Sequence, residues 1–342
     1  MNIRNALLAT VGAVGALTLV SAAHAATTLT VYTALETEQL DPYKKAFEAD
    51  NPGITIQWVR DSTGVVTAKL LAEKANPKAD VVWGLAASSL MVLDAQAMLE
   101  PYAPKGLDAV KPTFRDAKTP PTWVGMDAWM AAICFNTVEA AKKNLPKPAS
   151  WADLLKPEYK GQVVMPNPAS SGTGFLAVSG WLQQMGKDAG WAYMDGLDKN
   201  TAVYTHSGSK PCKMAAAGEY AVGISIEYTG AVQKNKGAPI DVILASEGVG
   251  WEEEATAIVK GTKNLDAAKA LADWAATKKA NELYVQFYAV TAVPNVGKAL
   301  PNYPENAEAK MLKTNDFAWA AANRDAILAE WTKRYDAKSE KK

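Results

Sequence analysis

The sequence predicts an α/β protein of two lobes, and three observations carry that prediction. Strand-like and helix-like runs alternate between residues 29 and 97, the alternation restarts near Ala128, and predicted strands in both halves end in short polar loops. Removing a leader of 25 residues from the 342 leaves 317, too many for one small core and enough for two.

Leu29 to Thr33 reads as a strand, followed by a helix that repeats Leu40, Tyr43 and Phe47 on one face until Asn51-Pro52-Gly53 stops it. Ile54 to Val59 is a second strand, Thr67 to Lys74 a helix, Asp80 to Trp83 a third strand, and Ser88 to Ala97 a helix. This β-α-β-α-β order implies a parallel sheet, whose ligands bind beyond the carboxyl ends of the strands. Those ends carry Ala34-Leu35-Glu36, Asp61-Ser62-Thr63-Gly64 and Ala86-Ala87-Ser88-Ser89.

In the second half Ala131 to Phe135, Gln162 to Met165, Val203 to Thr205, Ala221 to Ile226 and Asp241 to Leu244 read as strands, and Ala255 to Val259 as a return strand. Leu265 to Ala276, Ala280 to Phe287 and Phe317 to Tyr335 read as helices, the last amphipathic through Phe317, Ala321, Leu328 and Trp331. The expected division is 1–25 leader, 26–127 first lobe, 128–255 second lobe, and 256–342 first lobe again. There is no internal repeat or low-complexity tract.

Arg4 precedes an apolar run from Ala6 to Val20, and Ala23-His24-Ala25 is a small-x-small cleavage site. This pattern is a signal peptide cut after Ala25, too short and wrongly flanked for a membrane span. No cysteine follows the cut, so no lipid anchor is expected there. Beyond it stand 35 basic and 36 acidic residues, a balance that argues against nucleic acid or an anionic membrane as partner. Lys338, Lys341 and Lys342 read as a solvated tail. His206 is the one histidine after the cut, which excludes a His-rich metal site. Cys134 and Cys212 read either as one disulfide, contributing about 4 kcal/mol by loop closure, or as two buried thiols.

The stretch Pro166 to Gly174 sets hydroxyls and glycines between a strand and an apolar helix without a basic residue. First-turn N–H groups lack intrahelical acceptors and carry partial positive charge, so Ser170, Ser171, Gly172 and Thr173 suit an oxyanion, although any of them also suits a plain helix cap. His206-Ser207-Gly208-Ser209 and Glu227-Tyr228-Thr229 close two further strands.

Taken together, Val31 to Glu36, Arg60 to Gly64, Asp80 to Ser89, Pro166 to Gly174 and Tyr204 to Lys210 resemble the periplasmic solute-binding proteins of ABC importers. Within them the chain is most similar to the type II group of ferric-ion and phosphonate binders, and there to 2-aminoethylphosphonate receptors. The resemblance covers essentially the whole chain after the leader. It implies a hinged two-lobe receptor, monomeric and periplasmic, with an inner-membrane permease as partner and no cofactor. In ferric-binding relatives a metal ligand falls at the position of Glu36, adjacent tyrosines bind iron where this chain has Tyr228-Thr229, and a carboxylate stands where it has Leu85. Iron would thus lose two ligands here, while the phosphate-binding Ser-Gly-small element matches Ser171-Gly172-Thr173.

The resemblance therefore implies an aminophosphonate as ligand. Its anion is assigned to Ser62, Thr63, Ser88, Ser171, Gly172, Thr173 and Ser207, whose hydroxyls and amides donate to oxyanions. Its ammonium is assigned to the carboxylates Glu36, Asp127 and Glu227 with the aromatic faces of Tyr32 and Tyr228. Trp83 and Trp129 are weaker candidates among eleven tryptophans, strand alternation turns Arg60 away from the loop, and His206 reads as structural. Other readings are a ferric-ion or phosphate-ester receptor and, remotely, a serine acyl-transfer enzyme using Ser207 and Lys210 of an S-x-x-K match. That motif lacks its S-D-N and K-T-G partners, no G-x-S-x-G elbow is present, and the glycines at 172 and 174 imitate a dinucleotide fingerprint only in part.

Overall fold

The computed structural model describes residues 26–341, and the expected signal peptide lies outside the described residues. In chain order the elements are β1 (Thr27–Thr33), α1 (Thr37–Asp50), β2 (Ile54–Arg60), α2 (Thr63–Ala72), β3 (Val81–Ala86), α3 (Ala87–Ala95), β4 (Leu99–Glu100), β5 (Val124–Asn136) and α4 (Thr137–Lys142). There follow β6 (Val163–Pro166), α5 (Gly172–Met185), α6 (Lys187–Asn200), β7 (Thr201–Thr205), α7 (Lys210–Ala217), β8 (Val222–Ile226), α8 (Glu227–Asn235), β9 (Ile240–Ile243) and β10 (Trp251–Val259). The chain closes with α9 (Leu265–Ala275), α10 (Lys278–Tyr284), β11 (Val290–Thr291), α11 (Ala307–Lys310) and α12 (Phe317–Tyr335).

Strand order is β2-β1-β3-β10-β5-β8-β6-β7. In the first lobe β2, β1 and β3 are parallel and β10 runs antiparallel between β3 and β5; in the second, β6 lies parallel to β7 and β8, with β8 antiparallel to β5. The two sheets share β5. Its Val124-to-Met130 half pairs with β10, and its half from Ala131 onward pairs with β8 and β9. The lobes therefore change over between Met130 and Ala131, where the sequence placed the boundary at 128. The returning strand β10 is already in the first sheet from Trp251, before the expected residue 256. Glu252-Glu253-Glu254 hid it, because three charges in a row argue against a buried strand, yet these side chains are 4%, 0% and 6% exposed.

A further correction concerns the chain end. The helix α12 packs on α3 of the first lobe, but its last turns reach the second: Trp331 meets Tyr204 edge-on at 4.9 Å and Tyr335 donates to Asp195 at 2.6 Å. Beyond it Ser339 bridges Tyr204 at the open edge of β7, and Lys338 Nζ donates to Asp198 at 3.0 Å. Segment 256–342 thus spans both lobes, and Lys338 is tied down instead of solvated, because an unpaired strand edge and two aromatic rings offer the tail a place to bury. In the second lobe Cys134 of β5 is bonded to Cys212 of α7, with Cα atoms 5.3 Å apart. The first lobe's core is aromatic, with Tyr43, Phe47, Trp83 and Trp274 in edge and stacked contacts.

Candidate functional site

A small cavity of about 30 Å³ lies between the lobes. Its position follows from chain direction. Parallel strands send each following helix back along the sheet, so the helix starts gather at the strands' carboxyl edge. The N-cap residues of five helices line this one cavity: Glu36 of α1, Ser62 of α2 and Ala86 of α3 from the first lobe, Ser171 of α5 and Ile226 of α8 from the second. Each helix start contributes roughly half a positive charge and free N–H groups, so the convergence favours an anion.

The Pro166-to-Gly174 stretch forms the second-lobe wall through Ser171, Gly172 and Thr173. Ser171 Oγ accepts from the Gly174 N–H at 3.3 Å, so the serine is both cap and wall. Gly172 is required by close approach, since a Cβ there would stand 2.5 Å from Thr63 Oγ1 of the facing lobe. The lobes touch. Gly64 N–H donates to the Ser170 carbonyl at 2.8 Å, His206 Nε2 lies 3.3 Å from Asp61 Oδ1, and Lys213 Nζ lies 4.0 Å from Glu36 Oε2.

Arg60 brings a cation to the cavity, contrary to the alternation argument. As the last residue of β2 its long side chain folds back over the end of β1, where Nε donates to the Leu35 carbonyl at 3.0 Å and the guanidinium lies 3.8 Å from Glu36. Burial raises the pKa of Glu36, and Arg60 and Lys213 pull it back down.

Of the residues assigned to the anion, Ser62, Thr63, Ser171, Gly172 and Thr173 line the cavity; Ser88 and Ser207 do not. Ser88 is buried within the start of α3, below Ala86, which takes the lining position. Ser207 turns its hydroxyl to Ser209 at 3.2 Å and leaves the wall to Gly208. Of those assigned to the ammonium, only Glu36 is in the lining. Tyr32 points through the other face of the sheet and donates to Glu73 at 2.9 Å. Tyr228 packs under Phe287 and Tyr288, both at 5.5 Å between ring centres. Glu227, fully buried, accepts from the Met130 N–H at 2.8 Å and the Tyr303 hydroxyl at 2.6 Å. Asp127 is also fully buried, one layer behind the lining. The aromatic wall is instead Trp129 and Tyr288. Lys210 pairs with Glu340 of the tail.

Sequence reasoning missed Glu254 and Tyr288 altogether. Glu254 lines the cavity from β10; burial raises its pKa to about 8, with Gln39 Nε2 donating at 3.3 Å in opposition and Glu36 and Glu227 adding repulsion. No local signal marks either residue, since Glu254 reaches the cleft through the pairing of β10 with β5 and Tyr288 lies in the segment between α10 and β11.

Residues 76–319 match the bacterial extracellular solute-binding protein family. The chain is 27% identical over 290 residues to a probable ABC transporter periplasmic-binding protein of Sinorhizobium fredii, covering 81% of this chain and 77% of that one. It is 26% identical over 182 residues to a putative 2-aminoethylphosphonate-binding periplasmic protein of Salmonella typhimurium, covering 53% and 49%. Among solved structures it is similar to the periplasmic binding protein AfuA of Actinobacillus pleuropneumoniae with fructose-6-phosphate bound, at TM-score 0.84 and 27% identity, covering 91% of this chain and 99% of that one. With its two α/β lobes closing on one cleft, the chain belongs to the bacterial extracellular solute-binding proteins, as a periplasmic receptor of an ABC importer with the type II fold.

Proposed function

We propose that the cleft binds a small organic phosphonate or phosphate ester carrying a cationic or hydroxylated end, with 2-aminoethylphosphonate or a close aminophosphonate as the favoured ligand. The carrying observation is the pairing of two chemistries in one cavity. Five helix starts and Arg60 supply an anion's donors, while Glu36 and Glu254 with Trp129 and Tyr288 supply acceptors and aromatic faces for an ammonium. The receptor works as a monomer without a resident cofactor, closes about the crossing in β5 and the segment that leads into β10, and hands its ligand unchanged to an inner-membrane permease. A sugar phosphate is the second reading, since carboxylates accept equally from hydroxyls and AfuA holds fructose-6-phosphate.

Calorimetry with 2-aminoethylphosphonate, ethylphosphonate, fructose-6-phosphate, inorganic phosphate and ferric ion separates these readings. The favoured one expects 2-aminoethylphosphonate to bind at least about tenfold more tightly than ethylphosphonate, a difference of about 1.4 kcal/mol. Tighter binding of fructose-6-phosphate selects the second reading, and binding of ferric ion alone overturns both.

A further inference from the structure

Behind the cavity wall stands a group with no protein donor. Asp127 on β5 faces Glu254 on β10 as its direct cross-strand partner, so their side chains share one face of the sheet. Asp127 is 0% exposed, and among the described residues neither of its oxygens meets a protein N–H or O–H. The polar neighbour within reach is the Glu254 carboxyl, and two carboxyls hydrogen-bond only through a proton. Glu254 in turn lines the cavity, with one oxygen held by Gln39.

We propose that Glu254 is the ammonium subsite and that Asp127 is its positioning residue, a neutral carboxylic acid that keeps its proton and donates it to the Glu254 carboxylate when the ligand binds. In the free protein both carboxyls hold protons. On binding, Glu254 releases its proton to solvent, the ligand's ammonium takes the place of that charge, and the arrangement becomes Asp127 acid, Glu254 carboxylate, ammonium. One proton leaves for each ligand bound.

The surroundings favour the neutral pair. Glu36, Gln39 and Tyr43 face it from α1, Glu227 and Tyr228 from α8, Tyr284 from α10, Tyr288 from the segment after it, and Glu252 and Glu253 flank it on β10. The cations around it act on its neighbours, Arg60 and Lys213 on Glu36, Lys111 on Glu253 and Arg324 on Glu252. Burial and this acidic company raise Asp127 well above the ordinary carboxyl range and Glu254 to about 8. An unpaired carboxylate so enclosed is costly, and an incoming cation relieves that cost.

The inference rests on the aminophosphonate reading, and its test keeps the two apart. Binding heats of 2-aminoethylphosphonate and ethylphosphonate, measured at pH 6.5 in buffers of different ionisation enthalpy, count protons released. Once the protons each phosphonate itself gives up, known from its own titration, are subtracted, the wild type is expected to release about one more proton with 2-aminoethylphosphonate than with ethylphosphonate. Its preference for the amine is expected to grow by up to about tenfold per pH unit toward pH 8 and to level off above, because Glu254 must ionise to bind. Glu254→Gln should lose both the extra proton and the preference while still binding ethylphosphonate. Asp127→Asn, which keeps a donor toward Glu254, should retain both, and Asp127→Leu should lose the preference. If the wild type does not prefer the amine, the aminophosphonate reading fails and this inference with it. If the preference is present without extra proton release, or vanishes in Asp127→Asn while ethylphosphonate still binds, the inference alone is overturned.

Discussion

Gly64 and Ser170 join the two lobes at the rim of the cavity: the Gly64 N–H donates to the Ser170 carbonyl at 2.8 Å, and a Cβ on residue 64 would stand 2.1 Å from the Ala169 carbonyl oxygen. The contact belongs to closure, because it links a residue of α2 to the cradle of the opposite lobe. Gly64→Ala should therefore leave the unliganded fold intact and obstruct closing. The expected result is an affinity loss of at least about tenfold with the free protein's melting temperature unchanged. Wild-type affinity in this variant would mean that ligand binds without this contact.

The cradle itself is tested by Ser171→Ala combined with Thr173→Ala. Hydrogen bonds to a charged group contribute about 1.5 to 3 kcal/mol each, so anion affinity should fall by several kcal/mol. Ser171 also caps α5 through Gly174, so the free protein should lose about 1 kcal/mol of stability. Calorimetry and denaturation measured on the same sample separate the two effects, and unchanged affinity would move the anion elsewhere.

Replacing Cys134 and Cys212 by alanine opens a loop closed across 78 residues. The chain-entropy account assigns that closure about 4 kcal/mol, to be read from urea unfolding of the variant against the oxidised wild type. Because the bond ties β5 to α7 away from the cavity lining, ligand affinity should stay as it was.

Stability of the unliganded protein should fall as pH rises from 5 to 8. Glu227 and Glu252 are raised to about 7 and Glu254 to about 8, chiefly by burial, so the native state holds protons that the unfolded chain has released above about 4.5. Each such group costs about 1.4 kcal/mol per pH unit until its folded pKa is passed. The lowered carboxyls, such as Asp153 with its backbone and lysine partners, act in the opposite sense only below about pH 4. Denaturant titrations at pH 5, 6, 7 and 8 should show the decline, with a shallower slope in Glu254→Gln. A flat profile would mean that these carboxyls ionise in the fold.

Legibility in the sequence followed the range of the forces involved. That Ser62, Thr63, Glu36 and the Ser171-Gly172-Thr173 run line the cavity was legible because a strand-to-helix turn is local and chain direction puts every such turn at one edge. Arg60 was misread because alternation describes residues inside a strand, and it is the last one, free to fold over its neighbour's end. Tyr228 was preferred to Trp129 on sequence position, yet the start of α8 tucks its ring beneath Phe287 and Tyr288 while β5 turns Trp129 into the cleft.

By itself the sequence determined two α/β lobes whose helix starts face a common cleft, since periodicity, turn residues and chain direction are properties of short segments. Only the tertiary structure decided what else lines that cleft. The pairing of β10 with β5 buries Glu254 and Asp127 against each other, and the β7 edge draws the C-terminal tail onto the second lobe. Both depend on contacts between residues far apart in the chain, where the environment sets a side chain's exposure and protonation and no local pattern records it.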